Sequence, residues 1–208
     1  MTEYYNGYKF NENCKSVFNP DMAMYFLDGF LEYNRYPKEM IDNNVKTDYS
    51  KVNQIAYNFN DKEALEKIMT AGETSTVLVD RFNSHTMYSE KENFKSLLFY
   101  LGMLTIKEAG PLGTVLKIPN YVIKTIYWEQ HFQKINEDYN IEIQKIRIAV
   151  NEMRMHGNIE PFIELLKDIL EQLSNRDLIK MDEKNIKMMF LTLLGVDSTY
   201  FIKSEDEN

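Results

Sequence analysis

The sequence contains few of the residues that interrupt or cross-link a chain. Its 208 residues include one cysteine, five prolines and eight glycines. The single cysteine, Cys14, excludes an internal disulfide and is typical of a reducing compartment. With so few helix breakers, long segments run uninterrupted, and their apolar residues recur mostly at the 3.6-residue period of a helix. We therefore expect a mainly α-helical fold with a small β component, in which a helical bundle accompanies a β-hairpin.

The features of export and membrane insertion are also missing from the sequence. The amino terminus has no basic start followed by an apolar run, so it does not resemble a signal peptide. The longest nearly apolar stretch, residues 96–106, is too short to span a bilayer. These absences predict a soluble, cytoplasmic protein that has no membrane partner.

An excess of basic charge is missing as well. The chain has 24 Lys and Arg residues against 32 Asp and Glu residues, which gives a formal net charge of −8 at pH 7. A free-standing binder of duplex DNA normally presents a basic surface that displaces counterions from the phosphates. The acidic balance therefore disfavours a nucleic-acid partner, although it leaves a local basic face open.

No motif for cofactor chemistry is found along the chain. Neither Gly-x-x-x-x-Gly-Lys-Ser/Thr nor Gly-x-Gly-x-x-Gly occurs, so no segment predicts a cradle for nucleotide phosphates. His85, His131 and His156 do not lie at metal-ligand spacing with a cysteine or carboxylate. Asp80 follows an apolar run as a magnesium-binding aspartate would, but without a phosphate loop we interpret this segment as a structural strand. We expect no catalytic residue, metal ligand or cofactor; an enzyme with an unrecognised site is the least favoured alternative.

What the sequence does contain is a central helix that is unusually rich in apolar residues. Residues 89–92, Ser-Glu-Lys-Glu, form a capping box that predicts its start, and Gly102 has the position of a glycine that ends a helix. The apolar residues on its main face are Phe94, Leu97, Leu98 and Leu101. Because apolar residues cover most of its circumference, we expect the helix to be buried rather than to read base edges.

A β-hairpin is predicted directly after this helix. Residues 104–107 and 114–118 alternate between apolar and polar side chains on either side of the Gly-Pro-Leu-Gly turn at 110–113. Pro119 ends the second strand, and Pro119 or Asn120 begins another helix. Helix, hairpin and helix in this order predict a winged-helix module.

Further elements are predicted on both sides of this module. Helices are expected to begin near residues 20, 48, 60, 120, 160 and 182, with a break at 138–140 in the long helix that begins near 120. Strands are expected at 74–80 and 199–203.

Two patterns suggest contact with nucleic acid, and each has a simpler explanation. Lys107, Lys117 and Lys124 lie on or next to the hairpin, where they could contact phosphates. A nucleic-acid-binding winged-helix domain that uses these lysines is our alternative function. The aromatic residues between 4 and 10 could stack on bases, but with few cations nearby we expect a hydrophobic packing cluster.

Short motifs follow one another along the chain in a recognisable order. The first comprises Tyr5, Asn6, Gly7, Tyr8 and Phe10, and the second ends in Asn19 and Pro20. The third is the helix–wing segment 96–105, which includes Gly102, and the fourth is Ile-Pro-Asn, which ends in Pro119 and Asn120. Together they resemble the AAA-ATPase-like protein family of Bacteroidetes type, whose members are fused to a PD-(D/E)XK nuclease-like domain. Residues 175–203 are similar to the opening helix and first strand of that nuclease-like domain.

The resemblance implies which part of such a protein this chain represents. Residues 1–136 would be the helical and winged-helix region that follows an AAA-ATPase-like core, and residues 137–208 a helical region leading into a truncated nuclease-like domain. The family's nucleotide site would precede the first motif, in which Asn6 replaces an aspartate, and the nuclease Asp and Glu-x-Lys would follow residue 203. The implied function is a non-catalytic region that couples an ATPase module to a nuclease-like module. Its partners would be other domains of the same protein or further copies in a homo-oligomer, and ATP would bind only to an upstream core.

Overall fold

The computed structural model describes residues 1–37, 39–42, 62–81, 91–175, 182–196 and 202. In these residues the chain is mainly helical with a three-stranded antiparallel sheet, which confirms the expected fold class at this level. The predicted helix at 48–59, most of the capping box at 89–92 and nearly all of the predicted strand at 199–203 lie outside the described residues.

Eight helices and three strands make up the described part of the chain. The helices α1 to α8 span Thr2–Tyr5, Pro20–Tyr33, Lys62–Ala71, Lys91–Tyr100, Tyr121–Tyr139, Ile143–His156, Glu160–Asn175 and Glu183–Gly195. The strands β1 to β3 span Glu73–Thr76, Thr105–Gly110 and Gly113–Lys117. The chain divides into two compact units, Met1–Tyr127 and Trp128–Asn208. The predicted boundary after residue 136 separates two modules of the family that the sequence resembles, and it stays a prediction.

The helix ends follow the capping chemistry that the sequence predicts. The backbone N–H of Met22 donates to the side chain of Asn19 at 3.2 Å, and Pro20 occupies the first turn of α2. The predicted break in the long helix is the left-handed Asn140, between α5 and α6. Gly102 also adopts a left-handed conformation just after α4. These local predictions are confirmed.

The sheet has the order β1-β3-β2, with β3 paired antiparallel to both neighbours. The sequence predicted a first strand over 74–80, which is too long, because β1 ends at Thr76. Thr76 pairs with Thr114, and beyond Thr114 the partner strand enters the turn that joins Gly110 to Gly113. The amide of Val79 instead donates to the hydroxyl of Ser96 in α4 at 2.9 Å.

The core of the first unit contains one face of α4 but not its whole circumference. Phe94 and Leu98 are fully buried, as expected for the apolar face. The expectation that the entire helix is hidden is wrong at its carboxyl end, because Tyr100 is 51% exposed and Leu101 is also exposed. A short helix at the surface of a small unit has one neighbouring layer to pack against, so the apolar residues opposite that layer remain in water.

The second unit has a separate core between its helices. The buried side chains that form it are Phe132, Ile135, Ile141, Ile146, Ala149, Val150, Phe162, Leu166, Ile169, Leu170, Met189, Leu193 and Leu194. Helix α8 also approaches the fully buried Trp128 at Gly195, where an added Cβ would lie 3.0 Å from the indole ring. Within the described residues, no helix combines the length and apolar character that a membrane crossing requires.

Candidate functional site

The first family motif folds onto the segment that follows the hairpin. Gly7 has φ +125°, a conformation that side chains rarely adopt, and its α-carbon lies against the backbone of Pro119. A Cβ at this position would overlap the carbonyl oxygen of Pro119. The side chain of Asn6 accepts a hydrogen bond from the Gly7 amide at 2.7 Å and supports the turn. The first and fourth motifs therefore meet in space.

The same amino-terminal segment also binds the edge of the β2–β3 hairpin, which is the predicted wing. The amide of Lys9 donates to the hydroxyl oxygen of Thr105 at 2.6 Å, and that hydroxyl donates back to the carbonyl of Lys9 at 3.1 Å. The amide of Ala109 donates to the carboxylate of Glu12 at 3.1 Å. Since β2 is an edge strand of the sheet, the bond from Ala109 and a longer one of 3.5 Å from the Ile106 amide to the Lys9 carbonyl satisfy backbone groups that the strand would otherwise expose. We call the contacts of Gly7, Lys9, Thr105 and Pro119 the wing joint.

Two buried tyrosines hold the amino-terminal segment in place. Tyr8 is buried and forms a β-bridge with Val17, whose amide donates to the carbonyl of Tyr8 at 2.9 Å. Tyr5 is fully buried, and its hydroxyl donates to the carbonyl of Met40 at 2.7 Å. Burial raises the pKa of the Tyr5 phenol well above its ordinary value, so it stays a neutral donor. The aromatic residues of the first motif are thus mainly structural, as expected.

Phe10 departs from this expectation. Its side chain is 74% exposed and does not belong to the packing cluster. It lines a shallow groove together with Phe18, Tyr100 and Leu101. The groove is next to the wing joint, because Lys9 and Thr105 also line it. Asn19 and Pro20 of the second motif and Gly102 belong to the same lining.

The three lysines of the alternative function lie in different surroundings. Lys107 forms an ion pair with Glu73 across the sheet. Lys117 is partly buried on β3, where it pairs in register with Glu73 and Thr105. Lys124 lies in the first turn of α5, after the buried cap Asn120, whose side chain accepts from the Ile123 amide at 3.1 Å. The structure places an acid among these cations, which weakens their attraction for phosphate.

His131 is the described histidine with the most perturbed environment. It lies in α5, and within the described residues its buried Nε2 atom has no hydrogen-bond partner. Burial, and secondly the charge of Lys134, lower the pKa of His131 from 6.5 to about 4. The ring is therefore neutral near pH 7.

This depressed pKa predicts how stability depends on pH. The unfolded chain takes up a proton at His131 near pH 6.5, whereas the folded chain does so only near pH 4. The contribution of the neutral His131 ring to the free energy of unfolding is therefore fully present above pH 6.5 and is lost as the pH falls towards 4. We expect urea unfolding to show that His131→Gln loses less stability than the wild type between pH 7 and 4.5. The exposed His156→Gln is the control; if it flattens the profile equally, His131 is not the cause.

Other reactive groups in the described residues are dispersed. No three or more His, Cys, Asp or Glu side chains gather in that part of the chain so as to hold a metal ion. Cys14 is exposed in the loop between the first two motifs. Asp80 is exposed beyond the end of β1. The arrangement is one of backbone and packing contacts, in which Glu12 and Glu73 matter although no sequence pattern singled them out. Thr105 belongs to the predicted hairpin and to the third motif, but nothing in the sequence indicated its bond to Lys9.

Comparisons with protein-family models, with curated proteins and with solved structures find no match to this chain. The family resemblance therefore rests on the motif residues alone and stays a hypothesis.

Proposed function

We propose that the chain is a non-catalytic helical and winged-helix region that couples an ATPase module to a nuclease-like module in an AAA-ATPase-like protein. In this proposal α4, the β2–β3 hairpin and α5 form the winged helix. The amino-terminal segment carries the connection from an upstream module, and the helices of the second unit carry the connection to a downstream one.

The wing joint is the observation that supports the proposal most. Gly7 and Pro119 are 112 positions apart in the sequence, and their backbones lie in direct contact. Lys9 and Thr105, separated by 96 positions, exchange two hydrogen bonds. A displacement of the amino-terminal segment would therefore move β2 and the start of α5 with it, because packed backbone contacts transmit strain.

Titration of Mg²⁺·ATP into the purified chain tests the non-catalytic part of the proposal. We expect no binding heat at up to millimolar nucleotide, since no phosphate loop is present. A dissociation constant in the micromolar range would contradict the proposal. In that event Asp80→Asn would show whether the aspartate that follows the apolar residues 77–79 binds the magnesium ion.

The coding DNA on either side tests the coupling part. We expect a phosphate-loop motif encoded upstream and an Asp followed by Glu-x-Lys encoded downstream, in the same frame or in adjacent genes. Flanking sequence that encodes neither would contradict the coupling role even if the chain binds no nucleotide.

The alternative, a nucleic-acid-binding winged helix, depends on cations that are available to phosphates. The ion pair between Lys107 and Glu73 and the net charge of −8 both oppose it. Salt-sensitive retention on DNA that is lost in Lys117→Glu and Lys124→Glu would favour this alternative over the coupling role.

A further inference from the structure

Helix α2 of the first unit presents an apolar stripe to solvent. Its inner face is formed by the buried Met22 and Phe26. On the opposite side, Met24, Leu27 and Leu31 follow at i, i+3 and i+7, and they are 60%, 43% and 79% exposed. Large apolar side chains scattered singly on a surface are ordinary, but a continuous stripe at helical spacing is typical of an interaction surface.

An acidic stripe runs beside the apolar one on the same helix. Asp21, Asp28 and Glu32 follow at i, i+7 and i+11, which places them on one face of the helix. They line a groove whose far side carries Glu39 and Asp42. Among the described residues that line this groove Arg35 is the only cation, and its guanidinium lies 5.6 Å from the ring centre of Tyr33.

The far side of the groove is held in place by contacts with α1 and α2. The hydroxyl of Tyr25 donates to the carbonyl of Glu39 at 3.0 Å. The hydroxyl of Tyr5 donates to the carbonyl of the next residue, Met40. The ring of Pro37 lies over Gly29, where an added Cβ would be 3.4 Å from it. The groove is therefore preformed, so a ligand would not have to order it.

The charge of the groove restricts what can occupy it. In the described part of the chain its lining contains five carboxylates and one guanidinium. The pKa of Tyr25 is raised by burial and then by the charges of Asp42 and Glu39, in agreement with a negative potential in the groove. Nucleic acid and anionic membranes would be repelled, and a second copy would bring five carboxylates against five.

We propose that the exposed face of α2 is a docking site for a basic amphipathic helix of a partner protein. The apolar side of that helix lies on Met24, Leu27 and Leu31, and its lysines or arginines face the acidic stripe. Amphipathic helices are recognised through apolar anchors at i, i+3, i+4 and i+7 of the ligand, and such anchors would cover the exposed stripe of α2. The proposal depends on the charge and exposure of α2 and not on the coupling role.

Fluorescence anisotropy with defined peptides tests the proposal on the full chain. The probe is a labelled amphipathic peptide of Leu and Lys with 14 residues, the length of α2. A Leu and Glu analogue and a Leu and Lys peptide in scrambled order serve as comparison probes. We expect the first probe to bind, the scrambled probe to bind about tenfold more weakly, and the acidic probe not to bind. Equal binding of the ordered and scrambled probes would overturn the proposal.

Paired variants separate the groove from general electrostatics. We expect Asp28→Lys with Glu32→Lys, and separately Leu27→Ser with Leu31→Ser, each to raise the dissociation constant about tenfold or more. The matched controls are Glu164→Lys with Asp168→Lys, and Ile163→Ser, all at exposed positions of α7. These should stay within about twofold of the wild type.

The results of these experiments distinguish a basic helix from other ligands of the exposed face of α2. Control variants that weaken binding as much as the α2 variants would overturn the proposal, as would apolar variants that change nothing. Binding of anionic vesicles, or concentration-dependent dimerisation, that is abolished by Leu27→Ser with Leu31→Ser would assign the face to those occupants instead. Circular dichroism of each variant, with the single Leu31→Ser as a milder replacement, ensures that a folding defect is not mistaken for lost binding.

Discussion

Gly7→Ala should lower the free energy of unfolding of the first unit by about 3 kcal/mol or more. The backbone of Gly7 has φ +125°, which an alanine adopts only with strain. The new methyl group would in addition overlap the carbonyl oxygen of Pro119, and a backbone atom cannot rotate aside as a side chain does. Urea denaturation followed by circular dichroism measures the change.

Gly72→Ala is the matched control for the steric part of this effect. Gly72 belongs to the same unit and has a positive φ of +72°, but a Cβ there would meet nothing within 4 Å. Only the conformational cost of about 1 kcal/mol should remain. Equal losses in the two variants would show that the contact with Pro119 contributes nothing, and the wing joint would then lose its main support.

Phe94→Ala should be comparably severe, with an expected loss of about 3–5 kcal/mol. The Phe94 ring is completely buried in the core of the first unit, so truncation removes its burial and leaves a cavity. The midpoint of thermal or urea unfolding measures the loss.

Tyr100→Ala on the same helix provides the comparison. Tyr100 is at the exposed carboxyl end of α4, where its ring contacts Phe99 at 5.2 Å between centroids. We expect a loss of about 1 kcal/mol or less. If Tyr100→Ala proves as damaging as Phe94→Ala, the outer face of α4 is covered in solution and our assignment of its buried side is wrong.

The sequence predicts well those features that a few neighbouring residues determine. The cap at Asn19, the left-handed Gly102 and the break at Asn140 each depend on local backbone chemistry, and all are found. The length of β1 and the exposure of Tyr100 depend instead on which distant segment lies alongside. Apolar periodicity indicates that a face exists but not how many layers cover it, so these details were mispredicted.

The wing joint shows the same limit for the candidate site. Gly7, Pro119 and Lys9 all belong to or border the motifs, yet nothing local indicates that Gly7 lies against Pro119 or that Lys9 bonds to Thr105. A glycine can be required by a turn or by a close approach of another backbone, and a single sequence does not distinguish the two. The acidic residues of α2 recur at helical spacing in the sequence. That they line a groove together with Glu39 and Asp42 depends on the fold, which brings the following loop near the helix.

Native-state hydrogen exchange of the wild-type chain tests the wing joint most directly. The amides of Lys9 and Val17 should be protected to nearly the same free energy as those of the β2–β3 ladder, because the segment and the wing would open as one cooperative unit. Exchange of Lys9 and Val17 at the rate of an open loop, while the ladder stays protected, would contradict the joint and with it the proposed mechanical coupling.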